Sequence, residues 1–222
     1  MIAVGANPKT VIDGNPTATS FILADGVHAW NNVLIPRPVT IAGNVDAAGK
    51  PKAVLAGGWD RTQNGGGIAY PVDSWGSADG GTLRNVEIRD YISASQQSAL
   101  NGGLKNWTYD NLWVHHIRWG GIKLDSGAKL LRSLVDHCGQ LNVKCEDAAD
   151  GFLIEDTIIE YGNWLNWADW EWEGGGTKFP TRATNSTIRR VTARHNRGGG
   201  IWYDYAADGH LIEDCLAHDN QG

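Results

Sequence analysis

Residue types that bind and cleave sugars are concentrated between Gly162 and Asp204. Four tryptophans, Trp164, Trp167, Trp170 and Trp172, alternate with Asp169, Glu171 and Glu173 and lead directly into Lys178. Flat indole faces stack on sugar rings, and carboxylates beside them bond hydroxyls or a cation. Lys178 also belongs to a recurring file. Lys123, Lys144, Lys178 and Trp202 each follow a small or apolar residue in the short segments 121–125, 142–146, 176–180 and 200–204. Two positions further on stand Asp125, Glu146, Pro180 and Asp204. A polysaccharide lyase needs a base for the proton beside a uronate carboxylate and a charge to neutralise that carboxylate. Lys178 is the expected base, its pKa lowered by the like charge of Lys144. Asp204 and Glu173 orient the substrate, Glu146 and Asp204 offer a site for Ca²⁺, and Trp202, Lys144 and Lys123 extend the sugar-binding face. A glycoside hydrolase would instead use two carboxyls, for which Asp125 with Glu146 fits the short spacing and Glu146 with Asp204 the long one. The plain alternative is a solvated ladder of Lys and Asp/Glu pairs, each contributing well under 1 kcal/mol.

Such files require stacked elements, and the sequence repeats accordingly. From residue 83 one apolar-polar pattern returns six times, with starts at Leu83, Tyr109, Leu131, Ile154, Ile188 and Ile212. Each unit reads as a strand, a bend and another strand, because its apolar residues alternate over too short a stretch for a helix. Ala-Asp-Gly recurs at 24–26, 78–80, 149–151 and 207–209, and Asp-Gly is turn chemistry. In the strands after the bend, Ile122, Val143, Thr177 and Ile201 face inward, so the lysine file faces outward with neighbours about 4.8 Å apart. The interval between Ile154 and Ile188 is the longest, and the excess, residues 162–175, leaves the core as a loop on one face. His115, His116 and His195 fall at the bend and read as polar turn residues. No His-x-x-x-His spacing or Cys/His cluster among them points to zinc.

The fold class expected is all-β, a right-handed parallel β-helix in a single domain over 1–222. Residues 1–75 form irregular N-terminal coils or a cap, and residues 76–222 the regular coils. Twenty-nine glycines and only 20% charged residues in 222 suit many tight turns. A net charge of −6 without a basic block argues against nucleic acid, and no apolar run is long enough to span a membrane. The first residues lack the pattern of a secretory signal. Cys138, Cys145 and Cys215 form no Cys-x-x-Cys pair and read as buried thiols. The final unit stops without a polar capping element, from which a larger parent chain or self-association through an open C-terminal end is expected.

Residues 173–179 and 196–222, together with the repeats from 75 onward, resemble the pectate-lyase-like superfamily of parallel β-helix proteins, and residues 21–43 are similar to the opening coil of such chains. The resemblance implies a polysaccharide partner, an extracellular or surface-associated setting, and lyase, hydrolase, epimerase or tailspike activity. A non-catalytic adhesin-like or structural module is the alternative it leaves open. The hallmark sequences of the established pectate lyases and polygalacturonases are absent, so no catalytic residues carry over from them. Beyond Ca²⁺ no cofactor is expected.

Overall fold

In a computed structural model that describes residues 1–62, 67–72, 78–180, 182–205 and 207–221, the repeats stack as coils of a parallel β-helix. Leu83, Tyr109, Leu130, Ile154, Ile188 and Ile212 pair in succession, each with its equivalent in the next coil. The first five are buried in the core. The third coil therefore starts at Leu130 and not at Leu131. The two adjacent leucines satisfy an apolar pattern equally well, and only the alternation of side chains across the sheet separates them. Leu131 pairs with Asp110 and Glu155 and is only half-buried.

The strands form two sheets. A long sheet contains two parallel rows, one through Lys129–Leu131, Leu153–Glu155, Thr187–Arg189 and Leu211–Glu213, the other through Leu134–Cys138, Ile158–Glu160, Thr192–Arg194 and Leu216–His218. Single long strands, Thr82–Arg89 and Thr108–Ile117, run through both rows in the preceding coils. The second sheet holds Ser98–Leu100, Gly120–Leu124, Leu141–Cys145 and Gly175–Lys178. Here Ile122, Val143, Thr177, Leu124, Cys145 and Phe179 face the core and are buried, as the alternation requires. Lys123, Lys144 and Lys178 stand in register on the other face.

Left-handed backbone turns recur at intervals of five residues in each of the six coils from Gly80 onward. Gly80, Asn106, Gly127, Gly151, Asn185 and Gly209 form one file of positive φ, Asn85, Asn111, Arg132, Asp156, Arg190 and Asp214 a second, and Asp90, His116, His137, Tyr161, His195 and Asp219 a third. The first file explains the last three Ala-Asp-Gly repeats, whose glycines accept this conformation without strain. Arg, His and Tyr accept it less readily and hold it because the coils on either side fix the bend. Past the third turn the chain enters the second sheet, and buried backbone there is bonded by an asparagine ladder. Asn142 donates to Asn196 (3.3 Å) and Asn196 to Asn220 (2.8 Å), while the carbonyls of Glu160, Ile159 and Ala193 also accept from the three amides.

Earlier in the chain a helix, Pro8–Asp13, is capped by Asn7 and buries Pro8 and Ile12. The short strands Ser20–Ile22, Gly26–His28, Thr40–Ala42 and Ala53–Ala56 then pair within the long sheet, so this part contributes coils of the same solenoid. The expected boundary at 75/76 lies outside the described residues. Cys138 and Cys145 are buried and all three cysteines are unpaired. No helix among the described residues is long and apolar enough to cross a membrane.

Candidate functional site

The floor of the candidate site is the last strand of the second sheet, Gly175–Lys178, where burial of Thr177 and Phe179 aims Lys178 away from the core. Instead of projecting into solvent, Lys178 is 8% exposed. Its Nζ lies 3.1 Å from Asp204 Oδ2, donates to the Trp172 carbonyl, and sits 4.6 Å and 4.2 Å from the rings of Trp172 and Trp202. Asp204 arrives through a bridge between Phe179 and Tyr203, which sets the next coil in register. Above the ammonium opens a groove of about 650 Å³ lined by Gln96, Trp172, Glu173, Lys178, Asp204 and Tyr205, with Leu141 and Pro180 completing it. Trp172 is 67% exposed and Tyr205 is exposed as well, so two aromatic faces are available to a ligand. Glu173 is held by Gln96, which also accepts from Gln140 (2.8 Å). Lys178, Asp204, Glu173, Trp172 and Trp202 are thus brought together from segments far apart in sequence.

The rest of the lysine file lies under cover. Lys144 is 7% exposed and donates to the Gln96 carbonyl. Burial, and then the like charge of Lys123, push its pKa down to about 8 from the ordinary 10.5. Lys123 bonds Glu146 at 2.8 Å. The plain alternative of a solvated ladder does not describe Lys144 and Lys178, because Gln96 covers the first and Trp172 of the 162–175 loop the second. The unfolded chain holds the Lys144 proton more tightly than the folded chain does. The folded state therefore bears a penalty at neutral pH that disappears as pH rises from about 8 to 10.5. Relative to Lys144→Met, the wild-type protein is expected to gain roughly 3 kcal/mol between pH 7 and pH 10.5. Denaturant unfolding of both proteins across that range checks this, and a constant difference would contradict it.

The tryptophans of the loop divide. Trp164 packs edge-on against His116 (5.2 Å) and His137 (5.6 Å), and Trp167 against Trp59 (6.1 Å), so both cover protein. Trp170 is half-buried and outside the groove lining, leaving Trp172 as the loop tryptophan that faces the groove. Glu146 and Asp204, expected together at Ca²⁺, are separated by the coil of Pro180 and engaged by different lysines, Lys123 and Lys178. The carboxyl pair Asp125 and Glu146 is likewise committed, Asp125 being buried and accepting from the Ser126 amide (2.6 Å) while Glu146 pairs with Lys123.

Sequence reasoning missed a second cluster. The third turn file stacks rings along the solenoid: His116 on His137 (5.0 Å, 4° between planes), His137 on Tyr161 (4.7 Å) and Tyr161 on His195 (5.3 Å). Beside it, on the outer face of the long sheet, Trp113 stacks on His115 (4.3 Å) and donates to Asp136 (2.8 Å), which bonds His137 (2.5 Å). Burial, and then the positive charge of Arg61, push His116 down to about 4. Aligning the third repeat from Leu130 would have placed His116 and His137 in one column, and the Leu130/Leu131 ambiguity hid it. His116 and His195 are turn residues, as expected, and they also build this stack.

Compared by sequence, the chain matches no family model and no curated protein. Among solved structures it is similar to the catalytic domain of a GH87 α-1,3-glucanase in complex with tetrasaccharides, with a TM-score of 0.62 and 14% identity over 97% of this chain and 39% of that one. It is also similar to the A-module of the mannuronan C-5 epimerase AlgE4 of Azotobacter vinelandii, with a TM-score of 0.55 and 14% identity over 96% of this chain and 72% of that module. The chain spans about two fifths of the glucanase domain. The shared feature is the fold, a parallel β-helix.

Proposed function

We propose that this β-helix binds an acidic polysaccharide in the groove over Gly175–Lys178 and cleaves it by β-elimination. The observation that carries the reading is the position of Lys178, between two indole rings and a carboxylate at the floor of an open groove. Trp172 and Tyr205 offer faces for sugar rings, and Lys178, beside Lys144 of the neighbouring strand, offers a positively charged partner for a uronate carboxylate. Two structurally similar proteins, by their names, act on or bind saccharides, which supports a glycan ligand.

The chemistry fits the Lys178 and Asp204 pair. With a uronate bound, the Lys178 proton passes 3.1 Å to Asp204. The free amine then takes the proton beside the uronate carboxylate, and the electron pair of that C–H bond forms the new double bond. The glycosidic C–O bond breaks, and its oxygen leaves with the proton held by Asp204, which restores the ion pair. Glu173, fixed by Gln96, orients sugar hydroxyls. A binding module without turnover is the second reading. It is favoured by the full set of partners already around Lys178 Nζ.

A panel of uronate-containing and neutral glycans, incubated with the protein with and without Ca²⁺ and followed by ultraviolet absorbance of the unsaturated product, tests both. Product from an acidic glycan and none from neutral ones is the expected result. Binding without product selects the second reading, reducing ends without unsaturation assign hydrolysis, and no binding to any acidic glycan overturns the proposal.

A further inference from the structure

Outside the groove, two imidazoles and a carboxylate converge. We infer that His115, His116 and Asp136 form a binding site for a late transition-metal dication of the zinc class, separate from the glycan groove. One ligand atom from each lies within 4.8 Å of the other two. The Nδ1 atoms of His115 and His116 are 2.7 Å apart, and a tetrahedral ion with bonds of about 2.0–2.1 Å would require them to separate by little more than half an ångström. Backbone geometry makes the convergence possible. His115 ends an extended run and faces outward, whereas His116 adopts a left-handed turn (φ 51°) that swings its ring back beside its neighbour's. Asp136 enters from the following coil, paired in register with His115.

The surrounding bonds are those a metal ligand needs. His115 Nε2 faces Glu87 Oε1 at 3.3 Å, and Glu87 is anchored by Arg89 at 3.0 Å. A proton held on Nε2 by that carboxylate leaves the Nδ1 lone pair directed at the centre, the arrangement by which outer carboxylates fix ligating histidines. Asp136 accepts from the Trp113 indole at 2.8 Å and from His137 at 2.5 Å, which fixes its orientation and leaves lone pairs for an ion. Without metal, His116 Nδ1–H donates to His115 Nδ1. On metal binding that proton moves to the other ring nitrogen of His116, and the ion replaces the hydrogen bond between the two rings. Of the nearby cations, Arg61 pairs with Asp90 and Arg89 with Glu87 and Asp90, while Lys50 lies over the Trp113 ring at 4.3 Å. His115 and Asp136 are buried and His116 is half-buried. Two imidazoles with one carboxylate suit zinc, cobalt or nickel, whereas Ca²⁺ requires six or more oxygens.

The test uses the full chain after chelator treatment, titrated calorimetrically with Zn²⁺ and with Ca²⁺, and with Co²⁺ followed by visible absorption. One equivalent of Zn²⁺ is expected to bind in the micromolar range or tighter, Co²⁺ to give tetrahedral or five-coordinate absorption, and Ca²⁺ not to compete. His116→Asn tolerates the left-handed turn, and Asp136→Asn retains an acceptor for Trp113. Each is expected to weaken Zn²⁺ binding at least tenfold with circular dichroism unchanged. His218→Asn, at a separate half-buried histidine next to Asp219, is expected to leave affinity unchanged. Absence of stoichiometric Zn²⁺ binding, equal affinity in both cluster variants, loss of binding in His218→Asn alone, or equal affinity for Ca²⁺ would each overturn the assignment.

Discussion

Replacing Lys178 by arginine is expected to leave acidic-glycan affinity within a few-fold of the wild-type value and to lower turnover by about 10²–10⁴. Arginine keeps a positive charge between Trp172 and Trp202 and can still pair with Asp204, but its guanidinium does not give up a proton in proteins. Lys178→Met separates the other half of the role. Its unbranched stem fills the space between the indoles and its charge is lost, so affinity as well as turnover falls, by at least about tenfold for affinity. Affinity electrophoresis for binding and ultraviolet absorbance for turnover measure the two independently. Full turnover in Lys178→Arg removes lysine as the base. Unchanged affinity in Lys178→Met removes the groove as the binding site.

Gly198→Ala is expected to destabilise the protein by about 3 kcal/mol or more, which for a chain of this size lowers Tm by roughly 10 °C. Gly198 has φ of +129°, and a Cβ there would lie well inside contact distance of the Gly174 carbonyl, with the Gly175 backbone at 3.0 Å. These obstacles are backbone and cannot rotate away. They also form the exit of the 162–175 loop, so relief of the clash would displace the strand that carries Lys178. Gly151→Ala is the matched control. It adds a side chain at φ +68° with nothing within 4 Å, and about 1–2 kcal/mol is expected from the left-handed conformation alone. Thermal unfolding of both variants decides the point, and equal losses would show that the close approach of coils carries no special weight.

The stacked strands were legible because alternation leaves few choices: Ile122, Val143 and Thr177 can be inward only if Lys123, Lys144 and Lys178 are outward. The position of the third repeat was not, since Leu130 and Leu131 are equivalent to any pattern based on hydrophobicity. That single residue concealed the column containing His116 and His137. The grouping of Lys178, Asp204 and Glu173 followed from their coil positions. The covering of Lys144 did not, because Gln96 reaches it from a segment 48 residues away and no local pattern encodes that approach. The direction of each loop tryptophan depended equally on distant partners, Trp59 for Trp167 and the histidine stack for Trp164.

The five-residue interval between left-handed turns holds in the coil of Ile154 as in its neighbours, Gly151, Asp156 and Tyr161 following one another before the long loop begins. The added length enters only after the third bend, and the chain rejoins the register at Gly175. The scaffold thus works like a rack with a fixed slot pitch, in which one cartridge can be exchanged while the adjoining slots stay aligned. Loops of other lengths and compositions grafted between Gly162 and Gly174 would re-cut the wall above Lys178 while leaving its floor in place. The wall of the groove can therefore vary separately from the architecture that supports it.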